Sequence, residues 1–430
     1  MQDAPKNTSN GYARDLAAFL NFLWRARGEK SWRDATEADH LAYLVWRRRD
    51  SQGPKVEDAT WDREVAAVNR FYKWQLAAKN VGVNPIPQRH YRLRPVEAGA
   101  RGRGSEVGET PATTSHGAST EKIEWLPAKS YRRWRDVGMR GYTPEGMPDP
   151  VFRGRWGARN ASFCDLMVRT GLRLSEQSAL TVFEVPLDLN IGGYQRFWLP
   201  PKIAKGGSAR WVYVPASVRR DLAAYSEIDR AEVIEDARAA GRYRRMRCPF
   251  VVEDPASPKA RQPGGSMVKV SQLDPDERRS LLIDGPDGLE PAVFWLSEYG
   301  MPMARSSWQD LFSQANARCR KHGVALAAHA HMLRHSYAVI TLEQLQRGHI
   351  ANLAKMNPKQ REHWIRVFGD PLDWVRRRLG HRSVVTTQIY QHNLAELAME
   401  TRMALVSEAW EDPRDTPLYT DDDLADSEEA

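Results

Sequence analysis

Two short segments of this chain concentrate side chains that could do chemistry together. The first reads His329-Ala-His-Met-Leu-Arg-His-Ser-Tyr337, and the second reads Leu379-Gly-His-Arg-Ser-Val-Val-Thr-Thr-Gln-Ile-Tyr390. His331 and Arg334 are three residues apart, so on a helix they project from one face, with His335 following. A cation and titratable imidazoles would then converge, which leaves a charged face free for a ligand.

Two simpler interpretations of the histidine pair must be weighed. His331 and His335 have the i, i+4 spacing of helical metal ligands, but the zinc protease pattern His-Glu-x-x-His needs a glutamate where Met332 stands. That absence disfavours a metal site. A helix of a basic protein whose histidines are simply hydrogen bonded would be the favoured alternative for one isolated His-x-x-Arg. That interpretation is less favoured here because further segments with reactive side chains accompany the histidine segment.

Those further segments lie upstream. Thr170-Gly-Leu-Arg-Leu-Ser-Glu176 places Arg173 just after a glycine at the start of a helix, where Ser175 and Glu176 could orient it. Ala204-Lys-Gly-Gly-Ser-Ala-Arg-Trp-Val-Tyr-Val-Pro215 predicts a β-hairpin with Lys205 at its tip. In chain order the candidate site residues are Arg173, Lys205, His331, Arg334, His381 and Tyr390.

This ordered set closely resembles the tyrosine recombinase (phage integrase) family. Gly-Leu-Arg-x-Ser-Glu is similar to the first arginine box of the family, and Lys-Gly with a later Arg and Val-Pro is similar to its lysine hairpin. His-x-Leu-Arg-His-Ser resembles the second arginine box, and Leu-Gly-His with a tyrosine nine residues beyond the histidine resembles the closing motif. The resemblance covers most of residues 123–400.

The resemblance implies strand cleavage and rejoining through a 3′-phosphotyrosine, without metal, ATP or any other cofactor. Cleaving a phosphodiester without a metal requires protein cations to neutralise the phosphorane, and guanidinium groups do this with bidentate geometry. The resemblance implies that Arg173, Arg334 and His381 bind the phosphate. It implies that Tyr390 is the nucleophile and that His331 exchanges a proton with Tyr390. Lys205 is implied to protonate the leaving 5′ oxygen. Glu176 and His335 are expected to support these side chains without acting directly.

Bulk properties fit a DNA-binding protein of more than one domain. The chain has 430 residues, too many for one ordinary core. Its net charge is +8, but residues 406–430 alone carry −9, which leaves +17 on the remainder. This positive charge predicts a polyanionic partner, although basic proteins also bind membranes or acidic proteins. Three unpaired cysteines, the lack of a signal peptide and the lack of a long apolar run predict a cytoplasmic, nucleoid-associated protein without membrane contact.

The predicted fold is mainly α with a small antiparallel β-sheet. Apolar stripes predict a helical domain over residues 1–92, similar to the SAM-like core-binding domain of the family. A flexible linker is predicted for residues 93–122, an α+β catalytic domain for 123–405, and a disordered acidic tail for 406–430. Insertions relative to compact family members are expected near residues 227–290 and 347–366.

Several exposed arginines are candidates for DNA contact, although solvated charge is an equally common outcome for such runs. They are Arg47, Arg48 and Arg49 in the helical domain, Arg101 and Arg103 in the linker, and Arg242, Arg244 and Arg245 in the first insertion.

Together these features predict a site-specific DNA recombinase, an integrase or transposase of a mobile element. Its partner would be double-stranded DNA carrying specific sites, on which four copies of the chain assemble. Residues 394–405 predict a helix with an apolar face that docks on a neighbouring subunit or on its own domain. A resolvase or inversion enzyme with the same chemistry, a type IB topoisomerase and a non-catalytic DNA-binding regulator are the alternatives.

Overall fold

The computed structural model describes residues 6–92, 107–115, 123–154, 156–354, 356, 359–360, 369–383 and 386–391. The chain forms two compact units, an N-terminal unit of residues 1–121 and a C-terminal unit of residues 122–430. Arg101, Arg103 and the segments 394–405 and 406–430 lie outside the described residues, and so do nine of the twenty residues of the expected insertion at 347–366. Among the described residues, no helix is long and apolar enough to cross a membrane.

The N-terminal unit is built on three helices, α1 (Lys6–Ala26), α2 (Glu37–Arg48) and α3 (Asp58–Ala77). A capping box between Thr36 and Asp39 starts α2, as the sequence spacing predicts. The core between the helices is strongly aromatic, and it includes Phe19, Phe22, Tyr43, Trp61 and Tyr72. Leu41, Val45 and Leu76, which belong to the predicted apolar stripes, are exposed instead.

A short antiparallel hairpin, β1 (Gln88–Arg92) with β2 (Val107–Pro111), completes this unit. The residues after β2 return to the helices: the indole of Trp61 donates to the Thr113 carbonyl at 2.8 Å, and His40 Nε2 lies 2.7 Å from Thr113 Oγ1. The prediction of one flexible linker over residues 93–122 thus differs from the structure. Residues 107–115 are paired and packed on the helical unit, because side-chain and backbone partners in α2 and α3 hold them there.

The C-terminal unit contains most of the secondary structure. Its helices are α4 (Ala128–Trp134), α5 (Gly157–Thr170), α6 (Leu174–Gln177), α7 (Ala216–Ala224), α8 (Ala231–Ala239), α9 (Pro275–Arg278), α10 (Arg305–Lys321), α11 (Ala330–Ala354) and α12 (Pro371–Leu379). Its strands are β3 (Tyr194–Leu199), β4 (Arg210–Pro215), β5 (Phe250–Val252), β6 (Lys259–Arg261), β7 (Met267–Lys269), β8 (Leu281–Gly285) and β9 (Gly288–Pro291).

Helix α5 lies at the centre of this unit, with nearly every residue buried. Phe163 stacks on Trp308 of α10 with ring centroids 3.6 Å apart, and Trp295 packs against both rings. Helix α11 packs on α5 and on α12. Burial of this many large apolar side chains fixes α5, α10 and α11 relative to one another, so the segments that leave them start from a rigid core.

Strands β3 and β4 form the hairpin predicted around Lys205, with Trp198 opposite Trp211. The connection is longer than a tight two-residue turn, and Lys205, Gly206 and Gly207 form a 3₁₀ turn within it. The predicted class, mainly helical with small antiparallel sheets, is confirmed.

The segment expected to be the first insertion contains a sheet of its own. Its five strands are ordered β7-β6-β5-β8-β9, and all neighbours are antiparallel except the parallel pair β5 and β8. The guanidinium of Arg278 is fully buried beneath the sheet and donates to the carbonyls of Ala179 and Val270, each at 3.1 Å. Residues 227–290 therefore form an ordered subdomain that is bonded to the chain segment after α6.

Candidate active site

Arg173 is held at the beginning of α6 by the carboxylate of Glu176. The Arg173 backbone N–H and its Nη1 both donate to Glu176, each at 2.9 Å. The preceding turn needs Gly171, whose φ is +65° and at which a Cβ atom would strike the ring of Tyr337. The glycine of the motif thus positions the arginine, which keeps a fifth of its side chain exposed.

Glu176 is the centre of a buried ionic network. It is fully buried and also accepts hydrogen bonds from Arg210 Nη2 at 2.6 Å and from the Lys205 backbone N–H at 3.4 Å. Burial alone would raise its pKa, but Arg210 and Arg173 outweigh that effect and lower the pKa of Glu176 to about 2. One carboxylate therefore fixes the first arginine, the lysine turn and a second arginine.

Lys205 lies in the turn between β3 and β4, and its side chain is exposed. Gly206 and Gly207 both have positive φ, which only glycine adopts without strain. Arg382 Nη2 donates to the Gly206 carbonyl at 2.6 Å, so the turn is tied to the segment that leads to Tyr390. The ammonium group is free to reach a ligand while its backbone stays attached to Glu176.

Arg334 is almost completely buried in α11. Its guanidinium donates to the carbonyl of Gly171 and, at 2.5 Å, to that of Leu379, and Nη2 lies 3.3 Å from His381 Nε2. Burial, reinforced by the nearby charge of Arg173, lowers the pKa of Arg334 to about 9. The side chain thus links the three motifs that carry Arg173, Arg334 and His381.

His381 follows α12 and is neutral in this arrangement. Burial and the charge of Arg334 lower its pKa to about 3. Because a guanidinium can only donate, His381 Nε2 accepts from Arg334, and Nδ1–H is left to donate to Thr387 Oγ1 at 3.0 Å. The expected hydrogen bond from His381 to a phosphate would require Nε2 to gain a proton.

Tyr390 lies in the helical residues 386–391 and is only 1% exposed. Its hydroxyl is 2.9 Å from Nδ1 of His335. Burial raises the pKa of Tyr390, and the nearby Arg334 and Arg173 oppose that rise. Burial, together with His331 and Arg334, lowers the pKa of His335 to about 3, so both partners are uncharged.

The two histidines of the second arginine box differ in their contacts with Tyr390. The family resemblance implies proton exchange with the tyrosine for His331 and a supporting role for His335. In the structure His335 makes that contact, whereas His331 is exposed and its ring centroid lies 4.3 Å from that of His335. Helical spacing identified the shared face but not which of the two rings meets Tyr390.

Arg210 is a site residue that the sequence analysis did not single out. Its side chain is 5% exposed, pairs with Glu176, and donates through Nε to the Arg378 carbonyl at 2.8 Å. The available signal was its place in the lysine hairpin motif, where an arginine follows Lys-Gly. The alternation of β4 turns this side chain inward, opposite to Trp211.

The structure describes six of the eight arginines suggested for DNA contact. Arg47 and Arg48 form ion pairs with Glu64 and Asp58. In the insertion, Arg242 donates to the Tyr299 carbonyl at 3.0 Å and Arg245 donates to that of Ala240. Arg49 directly follows the last residue of α2. Arg244 is an exposed residue of a 3₁₀ turn.

Within the described residues, no group of three or more His, Cys, Asp or Glu side chains is arranged to hold a metal ion. The site consists instead of arginines, histidines, one carboxylate, one exposed lysine and one buried phenol. Such a set can bind a phosphate group, present an oxygen nucleophile and supply a proton.

Comparisons with known proteins show similarity in the N-terminal unit and in the fold. Residues 4–79 match the family model described as phage integrase, N-terminal SAM-like domain. XerH site-specific recombinase in its post-cleavage complex with palindromic difH is similar in structure, with a TM-score of 0.50 and 14% identity over 94% of this chain and 80% of that one.

Two further solved structures are more distant. The dimer of lambda integrase residues 75–356 bound to a COC′ core site has a TM-score of 0.46 and 11% identity, covering 90% of this chain and 89% of that one. The Tn1549 transposon integrase with a circular intermediate DNA has a TM-score of 0.46 and 13% identity, covering 93% and 95%. No curated protein sequence matches the chain.

Proposed function

We propose that this chain, which has the fold of a tyrosine recombinase and a phage-integrase N-terminal domain, is a site-specific DNA recombinase of a mobile element. Its substrate would be double-stranded DNA with specific sites, which it cleaves and rejoins through a 3′-phosphotyrosine. One observation carries the proposal: two arginines and a tyrosine hydroxyl from three distant motifs meet at one site.

Phosphate binding falls to Arg173 and Arg334. Arg173 is partly exposed and anchored through Nη1, so the rest of its guanidinium is available to the nonbridging oxygens. Arg334 is buried with its position fixed by two carbonyls, which preorganises its charge for the phosphorane. A fixed cation costs no reorganisation when charge develops, and the buried surroundings strengthen its field.

Tyr390 is the nucleophile in this proposal. Attack of its Oη on phosphorus forms the phosphotyrosine bond and breaks the bond to the 5′ oxygen, which leaves with a proton. Lys205 supplies that proton, because it is an exposed cation on a turn that Glu176 and Arg382 attach to the site. In the joining step the 5′ hydroxyl returns its proton to Lys205 and displaces the tyrosine.

Covalent capture on DNA of unknown target tests this function. The protein is incubated without magnesium with a nicked duplex library of random sequence, in which cleavage releases a short fragment and traps the adduct. We expect an SDS-resistant protein–DNA adduct, and sequencing of the attached DNA should yield one preferred site. Tyr390→Phe should form no adduct.

The matched control is Tyr337→Phe, which alters another buried tyrosine of the same unit and should retain the adduct. Adduct formation by Tyr390→Phe at the wild-type level would refute the assignment. If the recovered sequence also occurs as a pair flanking the gene, that pairing supports the integrase or transposase role over resolution or inversion.

A further inference from the structure

We propose that His335, rather than His331, takes the proton from Tyr390 during cleavage, and that binding of the scissile phosphate switches this transfer on. The proposal rests on the proposed function, since it needs Tyr390 to be the nucleophile. It gives His335 a direct role in place of the supporting one that the sequence indicated.

Geometry is the first argument. His335 Nδ1 lies 2.9 Å from Tyr390 Oη, within reach for direct proton transfer. His331 does not stand at the hydroxyl; its ring lies against His335, with centroids 4.3 Å apart and planes inclined by 70°. Because His331 is exposed and Tyr390 is 1% exposed, a proton leaving the hydroxyl reaches solvent along the order Tyr390, His335, His331.

The charges around His335 explain the switch. Without DNA, its protonated form is opposed by burial and by the groups that face it, which are His331 and Arg334 on α11, His329 just before α11, and His381 after α12. A phosphodiester bound by Arg173 and Arg334 brings negative charge into this field, and the phosphorane brings more. The imidazolium then becomes favourable only while the substrate occupies the site.

The step balances as a simple proton transfer. Tyr390 Oη–H gives its proton to His335 Nδ1, and the phenolate oxygen forms the bond to phosphorus as the 5′ oxygen leaves with the Lys205 proton. His335 releases its second proton, from Nε2, towards His331 or water. Joining reverses these transfers, so the tyrosine leaves as a neutral phenol.

The test compares His335→Gln with the matched variant His331→Gln in covalent adduct formation. A glutamine at 335 can still accept a hydrogen bond from the hydroxyl but cannot take the proton. We expect His335→Gln to slow cleavage about 100-fold, at the lower end of what general bases contribute, with unchanged DNA binding. His331→Gln should slow cleavage much less.

Two further measurements separate proton transfer from a structural role. Replacing Tyr390 with 3,5-difluorotyrosine lowers the phenol pKa and should restore cleavage by His335→Gln at least tenfold. Joining of a strand that ends in a 3′-p-nitrophenyl phosphate needs no tyrosine, so His335→Gln should perform it at the wild-type rate.

Failure of the fluorinated tyrosine to rescue, or equal loss of joining, would overturn the role of His335. A larger effect of His331→Gln would do the same. Loss of adduct formation by the wild type itself would instead overturn the proposed function, so the two failures are distinguishable.

A second, independent observation concerns the inserted sheet. Strand β3 and this sheet enclose a groove of about 580 Å³ whose lining includes Arg196, Lys259 and Lys269. Lys259 and Lys269 are exposed and directly opposite each other across β6 and β7, a like-charge pairing that is unfavourable by itself. Among the described lining residues the only acidic one is Glu184, whose carboxylate is 2.9 Å from buried Arg278.

We infer that this groove holds the sugar–phosphate backbone of the substrate duplex beside the cleavage site. A phosphate between Lys259 and Lys269 would relieve their repulsion, which is the charge complementarity that favours DNA. Trp198, 44% exposed in the same groove, offers a face for a deoxyribose or base. Strand β3, which lines the groove, leads through residues 200–204 to the turn that carries Lys205.

The test is the salt dependence of binding to duplexes of different lengths that contain the recovered site. Lys259→Gln/Lys269→Gln should reduce the slope of log affinity against log salt by about 2 on long duplexes, as expected for two lost phosphate contacts. A duplex that ends at the cleavage site, and so lacks the flanking backbone, is the control and should bind the variant and the wild type alike. Unchanged slopes at every length would overturn the groove as a DNA contact.

Discussion

Replacing Glu176 with glutamine should expose how strongly the site depends on one buried carboxylate. The substitution keeps the shape but removes the charge that Arg173 and Arg210 share, and the new amide N–H groups face guanidinium donors. Breaking a buried ion pair by neutralising one partner typically costs about 3–5 kcal/mol, because the other charge stays buried. Arg210, with 5% of its side chain exposed, is that residual charge.

The pKa of Glu176 gives a second route to the same magnitude. It falls from an ordinary 4.5 to about 2 in the folded protein, and such a difference corresponds to roughly 3 kcal/mol of stability. Since the folded pKa is depressed, this stability is fully present above pH 4.5 and is lost as the pH falls towards 2. The glutamine variant has no carboxyl to titrate, so its deficit relative to wild type should shrink over that window.

Urea denaturation of both proteins across this pH range measures the difference directly. At neutral pH the variant should be about 3 kcal/mol less stable, or about 5 °C lower in melting temperature for a unit of this size. Cleavage should fall by about 100-fold or more, because Arg173 and the Lys205 turn lose their common partner. A deficit that is absent, or that stays constant down to pH 2, would refute the reasoning.

Glu227→Gln provides the control for this experiment. Glu227 lies in the same unit but is exposed, so removing its charge should change stability by less than about 0.5 kcal/mol. A comparable loss in both variants would mean that the effect comes from net charge rather than from the buried network.

Two further predictions concern the leaving group and assembly. A bridging 5′-phosphorothiolate needs little protonation, so it should restore cleavage to Lys205→Ala but not to Arg173→Ala; rescue of Lys202→Ala instead would move the acid to that residue. Deleting residues 394–430 should spare half-site binding but abolish the pairing of two bound sites, as seen in gel-shift assays, because the apolar face that could join subunits is lost. Deleting only 411–430 should preserve that pairing, and equal loss in both truncations would count against the helix.

The parts of the site that follow from the sequence are those fixed by local geometry. Arg173 after a glycine, the lysine hairpin and the shared helical face of His331 and Arg334 each depend on a few consecutive residues. Periodicities of a helix or strand determine such arrangements without knowledge of the rest of the fold. The contact between His335 and Tyr390 depends instead on how residues 386–391 pack against α11, which spacing along the chain does not determine.

The same distinction explains the differences in the fold. Residues 107–111 read Val-Gly-Glu-Thr-Pro, a composition typical of a linker, yet they pair with β1 because a partner strand from elsewhere satisfies their backbone. The inserted sheet uses three-residue strands in β5, β6 and β7, too short for an alternating pattern. Its parallel pair, β5 with β8, joins segments separated by two other strands and a helix.

Residues of the inserted segment also form hydrogen bonds with the chain that follows α6, the short helix after Arg173. Arg278 donates to the carbonyl of Ala179, two residues after α6. The following residues are bonded to the segment that leaves β9, since Val182 N–H donates to the Ala292 carbonyl and Phe294 N–H to that of Leu180, each at 2.9 Å. The short helix that begins after Arg173 is therefore held from its far end by residues of the insertion and its exit. Because Arg173 must keep its orientation within a fraction of an ångström for phosphate chemistry, these bonds couple the stability of the inserted sheet to the precision of the arginine.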